Sequence, residues 1–259
     1  MIAEDKYLDI QTQGPVLVIT LNRPHKRNAI HDALLLELEQ VLDQVNDEIK
    51  CMIICGSGQH FSAGLDLTEL TERDVMQGLQ HSRMWHRVLD KIQFGKVPAI
   101  AVLHGAVVGG GLELAAACHL RVAESSAFYA LPEGQRGIYV GGGASVRLPK
   151  LIGIARMTDM MLTGRVFSAD EGEKIGMAQY LVAQGTGLDK AVELAKKIAS
   201  NAGWTNFALT HVLPRIADAH HQEGLLMESM MAAIAQNAPE AKQRLSDFLE
   251  GKAKKVGES

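Results

Sequence analysis

The sequence predicts an α/β fold with a mainly parallel sheet at its centre and a helical C-terminal region. Up to about residue 143, segments of strand and helix character alternate, which is the pattern of parallel strands joined by helices. Beyond that point almost every segment has helical character. The 259 residues, 47% hydrophobic and 22% charged, suffice for one large domain or for a domain with an appendage.

The first half of the chain predicts a hairpin followed by alternating helices and short strands. Two alternating segments flank a Gly-Pro turn, and the later segments are assigned by the spacing of their apolar residues. In chain order they are the hairpin strands LDIQTQG and VLVITLN, the helix HDALLLELEQVLDQVND, the strand CMIICGSG, the helix RDVMQGLQHSRMWHRVLDKI, the strand PAIAVLHG, a glycine stretch with its helix, and the strand-like LRVAESSAFYAL.

The second half predicts a series of helices. They are SVRLPKLIG, ARMTDMMLTG, SADEGEKIG, LDKAVELAKKIASN and APEAKQRLSDFLEG, with AQYLV as the only strand. A Met- and Ala-rich segment, LLMESMMAAIAQNA, suits an intramolecular core or a subunit contact. We favour the subunit contact, because a helical tail appended to a closed α/β core needs a surface to pack against.

The amino-acid composition limits which binding partners and which cellular compartment fit this chain. The formal net charge is −4 and no dense run of Lys or Arg occurs, which argues against nucleic acid or an anionic membrane as partner. The N-terminal residues MIAEDKYLDI lack a signal-peptide pattern, and no apolar run is long enough for a membrane span. The sparse cysteines Cys51, Cys55 and Cys118 indicate reduced thiols and a cytoplasmic protein. In the segment CMIIC we expect Cys51 and Cys55 to be buried as small hydrophobic side chains rather than to form a metal site.

The segment HGAVVGGGLELAAACHL, residues 104–120, predicts a site for a negative charge. It reads as a strand, a glycine turn and a helix start, where backbone N–H groups have no internal partner. It matches neither a P-loop nor G-x-G-x-x-G, so a charge that develops during reaction, such as a thioester enolate, fits better than a phosphate. A helix beginning near Gly110 places Glu113 on the same side as the Gly110 amide. Tight packing of the helix on a strand is the alternative reason for the glycines.

Two further glycine-containing segments could complete such a site. The first, GQHFSAGLDL at residues 59–68, follows a strand and could supply a second backbone donor. The second, FYALPEGQRGIYVGGG, carries Glu133 beside a proline and several glycines. Glu133 is a candidate acid or base, and a solvated turn glutamate is the alternative.

These segments resemble the enoyl-CoA hydratase/isomerase family, the crotonase superfamily, almost from end to end. The resemblance is carried, in family order, by LNRPHKRNAI, HFSAGLDL, VPAIAVLHGAVVGGGLEL, LPEGQRGI, GGGASVRLPKLIG, MLTGRVFSADEGEKIGM and DFLEGK. It implies a spiral ββα core over residues 1–195 and a helical trimerisation region over residues 196–259. It also implies a homotrimer or a dimer of trimers.

The resemblance implies a reaction on a CoA thioester, with coenzyme A as part of the substrate and no separate cofactor or metal. The backbone N–H groups of Leu65 and Gly110 would hold the thioester oxygen of an enolate. Glu113 would be the base on water and Glu133 the donor to the α-carbon, in the reversible syn hydration of a trans-2-enoyl-CoA to a 3-hydroxyacyl-CoA. The apolar surroundings of Glu113 favour its neutral form between turnovers.

The resemblance also implies residues that contact the substrate and its CoA. They are Lys26, Arg27, Ala29, Ala63, Asp66, Leu67, Gly141 and Phe248. Lys26 and Arg27 could pair with phosphates, although a solvated basic turn would have the same sequence. Phe248 matches an aromatic that reaches CoA, often from a neighbouring subunit. Many relatives have a Lys three residues further on, where this chain has Gly251, and Lys252 could replace it.

Three departures from the family pattern bear on the acyl group. Gln135 and Arg136 replace an apolar pair that follows the second glutamate in many relatives, and Val140 replaces a common proline. Arg136 is most simply a structural ion-pair residue, and the functional alternative is recognition of a polar or carboxylate-bearing acyl group. The segment HSRMWHR carries Met84, Trp85 and His86 and forms either a lid on the acyl pocket or an amphipathic packing face.

Other functions stay open at this stage. On the same oxyanion scaffold, the chain could catalyse double-bond isomerisation or act as a CoA-ester lyase or hydrolase. An isomerase can work with one carboxylate, so the pair Glu113 and Glu133 argues against that reaction. A non-catalytic CoA-binding scaffold and an RNA-binding relative are further alternatives, and the retained carboxylates and acidic balance argue against both.

Overall fold

A computed structural model describes residues 6–69 and 73–252, and its main element is a six-stranded sheet. The strands are ordered β1-β2-β3-β4-β6-β9, and all neighbours are parallel except the β1–β2 pair. The β1–β2 pair is the predicted hairpin, with Gly14 at a φ of 58° in its turn. The strands of this sheet are β1 Leu8–Gln13, β2 Val16–Leu21, β3 Cys51–Gly56, β4 Ala99–Leu103, β6 Leu120–Glu124 and β9 Tyr180–Val182.

Helices cover both faces of this sheet, because successive residues of its strands point to opposite sides. On β2, Val16 and Val18 belong to a core shared with α7, whereas Leu17 and Ile19 belong to a core shared with α1 and α2. Cys51 and Cys55 are buried in the first of these cores, so the prediction of two buried small hydrophobes is confirmed. The helices of this part of the chain are α1 Asp32–Asp43, α2 Val75–Gln93, α3 Gly110–Ala117, α4 Ala144–Ile152, α5 Ile154–Thr163, α6 Ala169–Lys174 and α7 Gly187–Ala199.

A second, three-stranded sheet corrects two sequence-based predictions. It is formed by β5 Ala106–Val108, β7 Phe128–Ala130 and β8 Phe167–Ser168. The segment LRVAESSAFYAL is therefore two strands, β6 and β7, which belong to different sheets and are separated by a turn. The segment AQYLV is not the only strand of the second half, because β8 precedes it. This strand was missed because it has two residues, and Ser168 also caps α6.

The chain alternates between the two sheets and then returns through a helix. It runs β4, β5, α3 and then β6, β7, α4. An earlier turn has the same form, since Ser62 after β3 bridges to Val107 of β5 before the chain enters α2. This arrangement confirms the predicted ββα spiral and brings the starts of α2 and α3 and the loop after β7 to one region.

The chain divides into two compact units between Ala199 and Ser200. The boundary predicted after residue 195 falls within α7. The second unit is helical, with α8 Gly203–Phe207, a π-helical turn Ala208–Val212, α9 Leu213–Asp218, α10 His221–Asn237 and α11 Pro239–Leu249. Its role in oligomerisation stays a prediction. Within residues 6–69 and 73–252, no helix is both long and apolar enough to cross a membrane.

Candidate active site

A cavity of about 480 Å³ lies in the first unit, between α2, the start of α3 and the loop that follows β7. Seven of the twelve residues predicted as catalytic or as contacts of the substrate and its CoA line it, whereas the other five, all predicted CoA contacts, do not. The seven are Ala63, Leu65, Leu67, Gly110, Glu113, Glu133 and Gly141. The candidate catalytic residues therefore share one cavity.

At the start of α3, each of three successive positions requires glycine for a different structural reason. Gly109 precedes the helix with a φ of 51°, which only glycine adopts readily, and a Cβ there would lie 2.6 Å from Glu133 Oε1. At Gly110 a Cβ would lie 2.8 Å from the Trp85 ring. At Gly111 it would lie 2.6 Å from the Ser62 carbonyl oxygen. The positive φ at Gly109 and the tight packing at Gly110 and Gly111 thus both require glycine.

Two backbone N–H groups meet at this point without an acceptor. Neither the Leu65 nor the Gly110 amide donates a hydrogen bond to any residue in the described ranges. The two lie side by side, because the Cβ position of Gly110 is only 3.3 Å from the Leu65 nitrogen. An unpaired buried N–H costs free energy unless something else accepts from it. Both amides line the cavity, where a bound oxygen atom could accept from them.

The segment that carries Leu65 is held by a network that sequence analysis missed. The buried Ser62 hydroxyl donates to the Asn28 carbonyl at 2.7 Å and accepts from the Gly64 amide at 3.1 Å. The Asn28 side chain in turn donates to the His60 carbonyl at 2.7 Å. On the other side, the Ile30 amide donates to the Gly64 carbonyl at 2.7 Å. These contacts fix the direction of the Leu65 N–H, and their partners are too distant in the chain for spacing to reveal.

Glu113 is a buried carboxyl group with two backbone donors. It is 4% exposed, and its Oε1 accepts from the Gly142 amide at 2.8 Å and the Ala144 amide at 3.0 Å. Burial raises the pKa of Glu113, while the two amides and Arg147 act in the opposite direction. The expectation that the surroundings favour the neutral acid is confirmed in direction.

Arg147, which sequence analysis also missed, holds the loop that supplies these donors. Its Nη1 donates to the Gly142 carbonyl at 3.0 Å, and its Nη2 pairs with Asp90 of α2 at 2.6 Å. Its Nε donates to the Gln93 side chain at 2.6 Å. The motif GGGASVRLPK contains Arg147, but only the fold shows that this residue ties α4 to α2 beneath Glu113.

Glu133 faces the same cavity with fewer partners. It is 8% exposed, and its Oε2 is buried without a hydrogen-bond partner in the described part of the chain. Burial raises the pKa of Glu133, the charge of Glu113 raises it further, and Arg136 opposes both. It is not the solvated turn glutamate that was the alternative.

The residues named for the nucleotide end of CoA lie around the same loop. Lys26 and Arg27 are exposed, and Ala29 is buried beside them. The Arg27 carbonyl accepts from the Ala63 amide at 2.9 Å, so this basic turn lies against the segment that carries Leu65. Phe248 is 57% exposed on α11 in the second unit.

Asp66 stays a predicted CoA contact, and its carboxylate has internal partners. It is 6% exposed and pairs with Arg23 at 3.0 Å. The Thr68 hydroxyl, and then Arg23, lower the pKa of Asp66 to about 2. Its side chain is therefore engaged in holding the loop rather than free for a ligand, and only its backbone could contact CoA.

The helix α2 supplies one wall of the cavity. Trp85 is 4% exposed and lines the cavity, while Val88 and Leu89 of the same face pack in the core. Both interpretations of HSRMWHR therefore hold in part: the helix face packs, and Trp85 lines the site. His86 is exposed, and Met84 packs against the core. Within the described residues, no cluster of three or more metal-ligating side chains occurs.

Comparison with known proteins gives a consistent result. The family model described as "Enoyl-CoA hydratase/isomerase" matches residues 11–258. The chain is 33% identical over 196 residues to a short-chain-enoyl-CoA hydratase of Clostridium acetobutylicum, covering 74% of this chain and 75% of that one. It is 31% identical over 247 residues to the 2,3-dehydroadipyl-CoA hydratase of Escherichia coli, covering 94% and 95%.

A solved structure is similar over nearly the whole chain. A crystal structure of a Rhodopseudomonas palustris protein, assigned as an enoyl-CoA hydratase, superposes with a TM-score of 0.94 at 60% identity. The similarity covers 97% of this chain and 98% of that one.

Proposed function

Because this chain belongs to the enoyl-CoA hydratase/isomerase family, we propose that it catalyses the reversible syn hydration of a trans-2-enoyl-CoA to a 3-hydroxyacyl-CoA. The observation that carries this proposal is the pair of buried carboxyl groups, Glu113 and Glu133, which line one cavity with two acceptor-free amides. Hydration needs two proton-transfer groups and a site for a developing negative charge, and this cavity offers both.

The thioester oxygen accepts hydrogen bonds from the Leu65 and Gly110 amides. As water adds to the β-carbon, electron density moves to this oxygen and the α-carbon gains enolate character. Fixed backbone donors stabilise that charge without reorganising, which is why such donors contribute strongly to catalysis. The N-terminus of α3 adds the positive end of its helix dipole at Gly110.

The two glutamates move the protons. Glu113 takes a proton from water as the water oxygen bonds to the β-carbon, and Glu133 gives its proton to the α-carbon. One molecule of water is thereby added across the double bond, and in the reverse direction the two groups exchange roles. The amides of Gly142 and Ala144 support the anionic form of Glu113 that the base requires.

The second carboxyl group favours hydration over the other reactions of this scaffold. Double-bond isomerisation can proceed with one group that removes and returns a proton, so it gives no reason to bury Glu133 without a partner for Oε2. An unsatisfied buried oxygen costs about 1–3 kcal/mol, a cost that a proton-transfer role would explain. The curated relatives named above are both hydratases by name.

The rest of the proposal concerns CoA and assembly. Lys26 and Arg27 pair with CoA phosphates, and Ala29 lies towards the adenine. Phe248 contacts CoA from a neighbouring subunit of a homotrimer or a dimer of trimers. No separate cofactor takes part. Support comes from the exposed basic turn beside Ala63 and from the exposed aromatic ring of Phe248.

The test is an absorbance assay for loss of the enoyl-thioester band of crotonyl-CoA. The proposal predicts loss of the band with formation of 3-hydroxybutyryl-CoA. Formation of a free acid and CoA would indicate a hydrolase, and a shifted double bond would indicate an isomerase. A protein that binds CoA esters but transforms none of them would support the scaffold alternative.

A further inference from the structure

Arg136 lies in the cavity wall, and its side chain has no partner among the residues that the structure describes. It lines the cavity that holds Glu113 and Glu133, it is exposed, and no residue in the described ranges forms a hydrogen bond or ion pair with its guanidinium. The structure therefore gives no support to the interpretation of Arg136 as a structural ion-pair residue.

Several other arginines of this chain pair with carboxylates. Arg23, Arg87, Arg147 and Arg165 each pair with a carboxylate at 3.2 Å or less. Arg136 differs although Glu133 lies three residues before it, and its effect on that carboxyl is through charge alone. A guanidinium with five donors and a fixed charge suits a carboxylate ligand in two-point contact.

Backbone hydrogen bonds hold the turn that carries Arg136, so the position of its Cα is fixed. Arg136 ends a short 3-10 turn, Gly134–Arg136, and its amide donates to the Glu133 carbonyl at 3.0 Å. Gly137 leaves the turn with a φ of 70°, and the Ile138 amide donates back to the Glu133 carbonyl at 3.0 Å. Glu133 and Arg136 thus lie on one hydrogen-bonded turn. The buried carboxyl group of Glu133 and the exposed guanidinium of Arg136 line the same cavity.

A second cation lines this cavity. Arg73 pairs with Asp32 at 3.7 Å, and Asp32 also contacts His81 Nε2 at 2.8 Å. The Arg73 side chain is 23% exposed.

Neither carboxyl group in the cavity forms a hydrogen bond or ion pair with Arg136 in the described ranges. Glu113 Oε1 accepts from the Gly142 and Ala144 amides, and Glu133 Oε2 has no partner there.

We propose that the acyl group of the substrate carries a carboxylate at the end remote from the thioester, and that Arg136 binds this carboxylate. The inference rests on the proposed function and specifies its substrate class. The CoA phosphates are a second possible source of anionic oxygen. The acyl group is favoured because Arg136 lines the cavity three residues after Glu133, whereas the exposed cations Lys26 and Arg27 do not line it.

The experiment compares two substrates that share CoA and differ in the acyl end. Hydration of crotonyl-CoA and of 2,3-dehydroadipyl-CoA is measured with the wild type, Arg136→Met, Arg136→Lys and the control Arg83→Met. Arg83 is exposed on α2, does not line the cavity and loses the same charge.

The inference predicts that Arg136→Met lowers kcat/KM for the carboxylate substrate about 10- to 100-fold, the usual effect of losing a hydrogen bond to a charged group. Crotonyl-CoA turnover falls less, because that substrate has no terminal carboxylate, while Arg136→Lys recovers part of the loss and Arg83→Met matches the wild type on both substrates.

A binding measurement separates failure of the inference from failure of the proposed function. Adipyl-CoA and butyryl-CoA cannot be hydrated, so their Kd values do not depend on catalysis. Tighter binding of adipyl-CoA by the wild type, lost in Arg136→Met, supports the inference even if neither enoyl ester is hydrated. Equal losses on both substrates would assign Arg136 to CoA or to Glu133, and no loss on either would leave it without a ligand. Each of these two outcomes would overturn the inference.

Discussion

Glu113 and Glu133 differ in how their carboxyl groups are held. Oε1 of Glu113 accepts from two backbone amides, which stabilise its anion, whereas Oε2 of Glu133 has no donor in the described part of the chain. The charge of Glu113 also disfavours ionisation of Glu133. This difference supports the proposed division of labour, with Glu113 as the base and Glu133 as the proton donor.

The pH dependence of hydration follows from the raised pKa of both glutamates. Glu113 is a base only when ionised, so kcat/KM should fall on the acid side with a midpoint above about 4.3, the ordinary pKa of glutamate. Glu133 donates only when protonated, so the rate should fall again at higher pH as it ionises. Because the two groups interact, both midpoints belong to the pair. Circular dichroism across the range controls for unfolding, and an acid midpoint at or below about 4.3 would contradict this assignment.

For individual residues, the sequence predicts the reacting carboxyl groups better than it predicts the hydrogen-bond and ion-pair partners of the side chains at the site. Glu113 could be predicted because an acid in an apolar helix start is unusual, and Glu133 because it lies in a glycine-rich loop. Their environments could not, since Gly142 and Ala144 reach Glu113 across 29 and 31 residues of chain. The ion pair of Asp66 could not be predicted for the same reason, because its partner Arg23 lies 43 residues away.

The start of α3 is the element on which the proposed oxyanion site depends. Its first residue, Gly110, lines the cavity, its second, Gly111, lets it pack on Ser62, and its first turn carries Glu113. Substituting valine at Gly110, which the sequence alone suggests as a test, would also drive a branched side chain into Trp85. The smaller Gly110→Ala substitution is therefore sharper.

Gly110→Ala should lower hydration about 10²- to 10³-fold, the usual effect of losing one oxyanion donor. The added Cβ would lie 2.8 Å from Trp85 Cη2 and 3.3 Å from the Leu65 nitrogen, where the thioester oxygen must approach. The matched control is Gly203→Ala, at the first residue of α8, where a Cβ meets nothing within 4 Å. Thermal melting of both variants verifies the fold. A Gly110→Ala enzyme with wild-type turnover would refute the oxyanion assignment.

Element prediction succeeded where an element carries a long periodic pattern. The helix α2 and the strands β2 and β3 follow their apolar spacing closely. The strands β5 and β8 have only three and two residues. Segments this short show no periodic pattern of apolar residues, so the sequence did not predict them. They form through pairing with β7, a partner that is fixed by the spiral and not by local sequence.

At the scale of the whole molecule, the second unit exposes many large apolar side chains. On α10, Leu226 is 63% exposed and Met230 59%, and on α11 Phe248 is 57% exposed. Exposed apolar surface of this kind is typical of an interaction surface. It supports the prediction of a helical trimerisation region, which the Met-rich composition and the family resemblance suggested.

Leu226→Asp should convert a trimer or hexamer to smaller species in light scattering. A carboxylate in a dry subunit contact costs free energy unless it is paired, so the associated state is weakened. Gln222→Asp is the control, because it adds the same charge at an exposed position of α10 without removing apolar surface. An unchanged molar mass for Leu226→Asp would show that this part of α10 is not a subunit contact.

If Glu113 takes a proton from water and Glu133 gives a proton to the α-carbon, hydration must depend on both carboxyl groups, and hydration by Glu113→Gln and Glu133→Gln measures that dependence. Glutamine keeps an acceptor for the Gly142 and Ala144 amides but can neither take nor give the proton. On whichever enoyl-CoA the wild type hydrates faster, each variant should lose about 10²- to 10⁴-fold in kcat, the usual contribution of a positioned proton-transfer group. Binding of a saturated CoA ester should stay unchanged. Near-wild-type turnover by either variant would contradict the two-carboxylate mechanism.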